Sequence, residues 1–198
     1  DKRNWVYDVV QQVTQPSADV LDLFQIDSVD LGRTYNGQDS DWYDYSLLNG
    51  GIAQQPIWFN PREQENGSWL AFKDDKPIAA KPVTAFSYDQ IVFPFIDGYP
   101  KNYGSAMDAA MGLIHWAALV HSPWDHAAEP DFWQTLRQRA LELRQKTDRA
   151  LIIVCGCNLF EWGTFLRRMD NFLMDLLLEP CQVERLLDAL LEIHLQTL

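Results

Sequence analysis

Residues 148–198 read DRALIIVCGCNLFEWGTFLRRMDNFLMDLLLEPCQVERLLDALLEIHLQTL, and this stretch decides the fold. It opens on Ala150-Leu-Ile-Ile-Val-Cys155, an apolar run rich in β-branched residues, too short for a helix and stopped by Gly156. Such a run predicts a strand buried on both faces, as in a parallel sheet. Residues 157–164 follow as a loop or short helix at the strand's C-terminal end, where α/β folds bind ligands. Two helices come next. The first spans about Met169 to Leu178. The second begins at Pro180, a good first-turn residue, and places Val183, Leu186, Leu187, Leu190 and Ile193 at helical spacing.

Composition narrows the field. The chain has 198 residues, 47% of them apolar, enough for a core within one domain. A formal net charge of −12 argues against nucleic acid and against an anionic membrane surface as partners. No apolar run approaches the ~20 residues that span a bilayer, and no signal peptide is visible. Three cysteines, two of them Cys155 and Cys157, do not make a disulfide framework and point to a reducing cytoplasm. Eight tryptophans are many for this length; several fall in loops, where large rings line pockets or pack under lids.

Upstream, residues 6–12 suit a short strand or a turn of helix. Pro16-Ser17-Ala18-Asp19 starts a short apolar helix carrying Val20, Leu21, Leu23 and Phe24. Ile26-Asp-Ser-Val-Asp-Leu-Gly32 then reads as a second parallel strand, with Arg33, Thr34, Tyr35 and Asn36 in the loop at its C-terminal end. Residues 41–95 differ in character. Asn49-Gly50-Gly51 is a turn. Pro56–Asn60, Ser68–Phe72 and Ile78–Val83 read as short strands of an antiparallel meander, joined through Glu65-Asn66-Gly67 and Asp74-Asp75. Residues 88–99 form an aromatic linker. Residues 105–119 are helical, with Met107, Met111, Ile114 and Ala118 on one face; residues 131–146 form an amphipathic helix with Phe132, Leu136 and Leu143 inward.

Candidate chemistry is sparse. Cys155 and Cys157 are one residue apart, whereas structural zinc sites prefer two to four intervening residues, so small buried hydrophobes are the better reading. His121, Asp125, His126 and Glu129 are ligand types within one loop, but nothing fixes them on one face. Glu161, Arg167 and Arg168 follow the decisive strand, where arginine suits a carboxylate-bearing substrate; alternatively the arginines pair with Asp170 or Asp175. Arg33, Thr34 and Asn36 hold the equivalent place after the earlier strand. With Asn158, Trp162 and Thr164 they complete the substrate-binding candidates. No phosphate loop, nucleotide fingerprint or Ser-His-Asp signature is present.

The pattern from Phe160-Glu-Trp-Gly-Thr-Phe-Leu-Arg-Arg-Met-Asp-Asn-Phe-Leu-Met-Asp175 through Glu179-Pro180 and residues 183–191, with Val20-Leu-Asp-Leu-Phe-Gln-Ile-Asp27, Trp42-Tyr-Asp-Tyr45 and Trp58-Phe-Asn-Pro61, resembles the uroporphyrinogen decarboxylase superfamily. That superfamily includes cobalamin-dependent methyltransferases. The resemblance implies an α/β fold: a segment of a (β/α)8 TIM barrel over residues 1–198, incomplete at both ends, with a small antiparallel meander inserted at about 41–95. The rest of the barrel, or a second chain, would complete it. The resemblance favours a methyltransferase branch, with corrinoid and zinc as cofactors and the zinc ligands outside this chain, so no metal ligand is assigned here. The substrate would be a small molecule or a tetrapyrrole or corrinoid. The alternatives are a porphyrinogen decarboxylase, a carboxy-lyase of porphyrin biosynthesis needing no cofactor, and a non-catalytic binding domain on the same fold. True decarboxylases of this superfamily carry an aspartate where Thr34 falls and a tyrosine where Thr164 falls. Losing an ionised acceptor aimed at the developing charge costs several kcal/mol, roughly a thousandfold in rate, so decarboxylation of uroporphyrinogen is not expected.

Overall fold

The computed structural model describes residues 4–31, 38–47, 50–114, 116, 129–153 and 158–197. In chain order the elements are β1 (Val6–Asp8), β2 (Val13–Thr14), α1 (Ala18–Leu23), β3 (Ser28–Asp30), β4 (Trp42–Ser46), β5 (Ile52–Pro56), β6 (Arg62–Glu63), β7 (Trp69–Lys73), β8 (Lys76–Lys81), β9 (Asp89–Gln90), α2 (Gly104–Ile114), α3 (Phe132–Lys146), β10 (Ala150–Ile152), α4 (Leu159–Arg167), α5 (Met169–Leu178) and α6 (Pro180–Thr197). They divide into two compact units. The first takes residues 1–8, 13–58 and 121–155; the second takes 9–12, 59–120 and 156–198.

In the first unit, β3 and β10 pair in parallel, Ser28 opposite Ala150 and Asp30 opposite Ile152. The ladder includes Ala150 N–H to the Asp27 carbonyl at 2.8 Å and Leu31 N–H to the Ile152 carbonyl at 2.7 Å. The two strands expected from their apolar runs are therefore neighbours, in register and with the same polarity. Helix α3 covers the pair. Its Phe132 and Leu136 are buried with Leu31, and Ala140, Leu143 and Ile153 pack around them. The Arg139 guanidinium donates to the Leu31 carbonyl, tying the helix to the end of β3. A strand, a covering helix and a parallel neighbour make a βαβ unit.

One expectation fails here. The decisive strand is not buried on both faces: Ile152 is 46% exposed. Side chains alternate across a strand, so Ile153 meets α3 while Ile152 lies on the opposite face and stays about half exposed. The strand is also shorter than the run 150–155, of which residues 154 and 155 lie outside the described residues.

β1 and β2 form a small antiparallel pair. β4 and β5 form a second, from Trp42 opposite Pro56 to Ser46 opposite Ile52. Of the expected turn Asn49-Gly50-Gly51, Asn49 lies outside the described residues, while Gly50 takes φ +80 and Leu47 N–H bonds to the Gly51 carbonyl at 2.8 Å. The first meander strand, expected at 56–60, is thus displaced: Pro56 ends β5, and residues 57 and 58 are a turn. Trp5 stacks on Trp42 at 5.7 Å.

The second unit holds the meander, a four-stranded antiparallel sheet in the order β6-β7-β8-β9. Its turns are those the sequence announces. Gly67 takes φ +79, with Ser68 N–H donating to the Asn66 side chain at 3.0 Å. Asp74 and Asp75 both take positive φ, +48 and +61, as a two-residue hairpin with primed geometry needs. Residues 88–99 are not a linker. Tyr88 and Phe95 are 2% and 5% exposed, and Asp89–Gln90 adds the fourth strand, so aromatic side chains bring the segment into the core.

The main core lies among the helices. Phe95, Met107, Ala110, Ile114, Trp162, Leu166, Phe172, Val183, Leu186 and Leu190 form one buried cluster. The helical spacings predicted for α2 and α6 supply half of it: Met107, Ile114, Val183, Leu186 and Leu190. Helices α5 and α6 start and stop where expected, at Met169, Leu178 and Pro180. The opposite face of α5 stays open: Leu173, Leu177 and Leu178 are exposed, as are Leu191 and Leu195 on α6. No helix among the described residues is long and apolar enough to cross a membrane.

Candidate functional site

Helix α4 carries most of the described candidates. Asn158 is its N-cap residue, and its side-chain amide donates to the Glu161 carboxylate. Asn158 is exposed and Glu161 half-buried. One turn on, the chemistry turns inward. Trp162 is 5% exposed and belongs to the core cluster. Thr164 is buried, and its hydroxyl donates to the Glu161 carbonyl at 2.7 Å, so the helix itself absorbs that proton.

Arg167 ends α4 and is engaged on every side. Its Nε donates to Asp175 Oδ2 at 2.7 Å, and one terminal nitrogen donates to the carbonyls of Phe95 at 2.9 Å and Ile96 at 2.5 Å. The Tyr99 hydroxyl donates to the same Asp175 oxygen at 2.8 Å, and the guanidinium lies 5.2 Å from the Tyr99 ring centre. Burial and the Asp175 carboxylate together hold the Tyr99 phenol well above its ordinary value. The cluster joins α4, α5 and the 95–99 segment. Arg168, at φ +68, is exposed and forms a bidentate pair with Asp170, both contacts at 2.6 Å. Both arginines therefore have carboxylate partners within the chain, Asp175 and Asp170.

The candidates on and beside α4 do not converge on one cavity: Asn158 and Glu161 meet at its start, Trp162, Thr164 and Arg167 point into packed contacts, and Arg168 points outward. Arg33, Thr34 and Asn36 lie outside the described residues, as do Cys155, Cys157, His121, Asp125 and His126. Among the described residues no three His, Cys, Asp or Glu side chains gather as a metal site. An open groove of about 590 Å³ lies in the first unit, lined by Gln25, Ile26, Asp27, Thr147, Asp148 and Arg149. It sits beside the N-terminal ends of β3 and β10, opposite the end at which such strands usually bind ligands. Its one cation, Arg149, is paired with Asp22 and donates to the Ile26 carbonyl at 2.8 Å.

Sequence reasoning passed over His194, which follows the expected α6 core position Ile193. It is 8% exposed, 6.1 Å ring to ring from Trp162, and its Nε2 has no partner among the described residues. Burial holds its pKa below the ordinary 6.5. The folded state therefore favours neutral imidazole, and the stability this contributes is complete above 6.5 and declines as pH falls through that value towards the folded one. Urea midpoints measured from pH 8 to pH 5 should fall, and His194→Leu should flatten that fall. An unchanged slope in the variant would exclude His194 as its source.

No protein-family model, curated protein or solved structure matches the chain.

Proposed function

We propose that the chain is part of a uroporphyrinogen decarboxylase-like (β/α)8 barrel on the methyltransferase branch, where a methyl group is carried by a corrinoid. The observation that carries this reading is the β3-α3-β10 unit: two parallel strands in register with a helix packed across them, joined by a connection that also holds β4 to β9. It is the repeating element of such a barrel. The apolar faces of α5, α6 and Ile152 suit burial against the rest of a barrel or a second chain. In this reading the zinc ligands lie outside this chain, and the corrinoid or small-molecule substrate sits at the C-terminal ends of the strands; among the described residues no group of three or more His, Cys, Asp or Glu gathers as a metal site. The cysteine usage fits a cytoplasmic enzyme.

Two observations bear on the alternatives. The Thr164 hydroxyl is turned into its own helix, so it does not stand in for the phenol that a decarboxylase places there. The pairing of Arg167 and Arg168 with Asp175 and Asp170 favours, as second reading, a barrel kept for binding rather than catalysis.

The test uses the full-length protein with zinc, methylcobalamin and a thiol acceptor in one series and uroporphyrinogen in the other. The expected result is corrinoid binding with loss of the methyl group, and no coproporphyrinogen. Turnover of uroporphyrinogen at an ordinary enzymatic rate would overturn the methyltransferase reading. Corrinoid binding without transfer would leave the binding domain.

A further inference from the structure

Helix α6 closes its buried face on a titratable ring. Val183, Leu186 and Leu190 carry that face into the main core. The next buried position, one turn beyond Leu190, is His194. Its ring lies 6.1 Å from that of Trp162 on α4, tilted by 56°. Past it, Leu195 is 61% exposed and Gln196 is exposed. Among the described residues, His194 is the last buried side chain of α6. With the half-buried Ile193, it holds the turn that follows Leu190.

The imidazole suits this place only while neutral. Nε2 is buried and has no hydrogen-bond partner among the described residues. A neutral ring can leave that nitrogen as a bare acceptor, whereas a protonated ring makes it a charged N–H donor in an apolar core. The charged groups of the neighbouring helices are committed elsewhere or face solvent. On α4, Glu161 accepts from Asn158, and Arg167 is bound to Asp175 of α5. Asp170 of α5 is paired with Arg168. On α6, Cys181, Glu184, Asp188 and Glu192 are exposed and Arg185 donates to the Lys101 carbonyl; Asp108 of α2 is exposed. The phenols of Tyr99 and Tyr103, packed against the same core, are held above their ordinary value and stay neutral. Burial alone, with no contribution from these groups, lowers the affinity of the His194 ring for a proton.

We propose that His194 is an acid-released latch: protonation drives the ring from its place beside Trp162 and frees residues 191–196 of α6 from α4, while residues 183–190 stay packed. Outside the core the charged ring is hydrated and stands at the C-terminal end of the helix, where a cation is favoured. Two arrangements of one turn, separated by one proton, make a local switch. Release uncovers the Trp162 indole, which is buried in the closed form. The loss of overall stability expected at low pH does not require this local opening, so the two are separable. The latch stands on the second unit alone and does not depend on the methyl-transfer reading.

Amide hydrogen exchange followed by NMR on the intact protein reads the latch residue by residue. Residues 183–190 serve as the internal reference for the intrinsic pH dependence of exchange. Opening of residues 191–196 relative to 183–190 should grow by up to about tenfold between pH 7.5 and pH 5.5, as for one group that titrates at its ordinary value once released. The His194 ring signals should titrate below 6.5 in step with that opening. In His194→Phe the ratio should not change with pH. An equal rise in both segments would make His194 a contributor to overall stability only and overturn the latch. A flat ratio in the unaltered protein, or the same rise in His194→Phe, would overturn it as well. If His194→Phe does not fold, the exchange profile and ring titration of the unaltered protein decide.

Discussion

Gly163→Ala should destabilise the protein by about 1–3 kcal/mol, the range for overpacking a well-filled core. The sign makes the prediction sharp. In the middle of a solvent-facing helix, replacing glycine by alanine stabilises by ~1 kcal/mol, because alanine has the better helix propensity. Gly163 is mid-helix in α4, but it is buried. A Cβ there would fall 2.6 Å from Phe172 Cε2, 2.8 Å from Cε1, and closer still to Cζ. Phe172 is itself fully buried, held edge-on by Phe160 at 5.4 Å and enclosed by the main core, so its ring has nowhere to move. The missing side chain is what lets α4 and α5 approach. Urea unfolding of Gly163→Ala should show a lower midpoint at unchanged slope. Gly163→Ala with Phe172→Leu should recover part of the loss, because the shorter side chain frees the space. A neutral or stabilising Gly163→Ala would show that α4 and α5 do not meet through this contact.

What the sequence made legible is what one period or one turn signal decides. Helices α5 and α6 were fixed by apolar spacing and by Pro180. The parallel strands were fixed by two short β-branched runs, and the hairpins by Asn66-Gly67, Asp74-Asp75 and Gly50. Burial of the strands was misjudged because an apolar run does not say which layers cover it: Ile153 packs under α3, and Ile152 is left about half exposed. The segment 88–99 looked like a linker because Phe, Pro and Tyr in mixed order show no period, yet Tyr88 and Phe95 anchor it by bulk. At the candidate site the residue types were legible and their partners were not. Arg167 could meet a substrate or an aspartate, and only the fold places Asp175, Tyr99 and two carbonyls around it. Lys81 gave no signal of burial, since one lysine within the expected Ile78–Val83 strand reads as solvent-facing until its strand neighbour turns out to be Trp69.

Arg167→Met should cost about 3–5 kcal/mol, as when one partner of a buried ion pair is removed. The side chains of Arg167 and Asp175 are 15% and 9% exposed, so solvent screens the pair little. Removing the guanidinium would leave Asp175 with the Tyr99 hydroxyl as its only described side-chain donor, and would strip the side-chain donor from the Phe95 and Ile96 carbonyls. Three segments would loosen together, because the cluster spans α4, α5 and the 95–99 turn. Replacing both partners, Arg167→Met with Asp175→Leu, should cost less than the sum of the single changes, since no charge is then left buried alone. By contrast, Arg168→Met removes an exposed, solvent-screened pair with Asp170 and should leave the urea midpoint essentially unchanged. Urea midpoints of the four variants give the cycle and its control. Additive single effects, or equal costs at Arg167 and Arg168, would contradict a stabilising Arg167–Asp175 pair. A folded Arg167→Met that instead lost affinity for a carboxylate ligand at unchanged stability would return Arg167 to the substrate site.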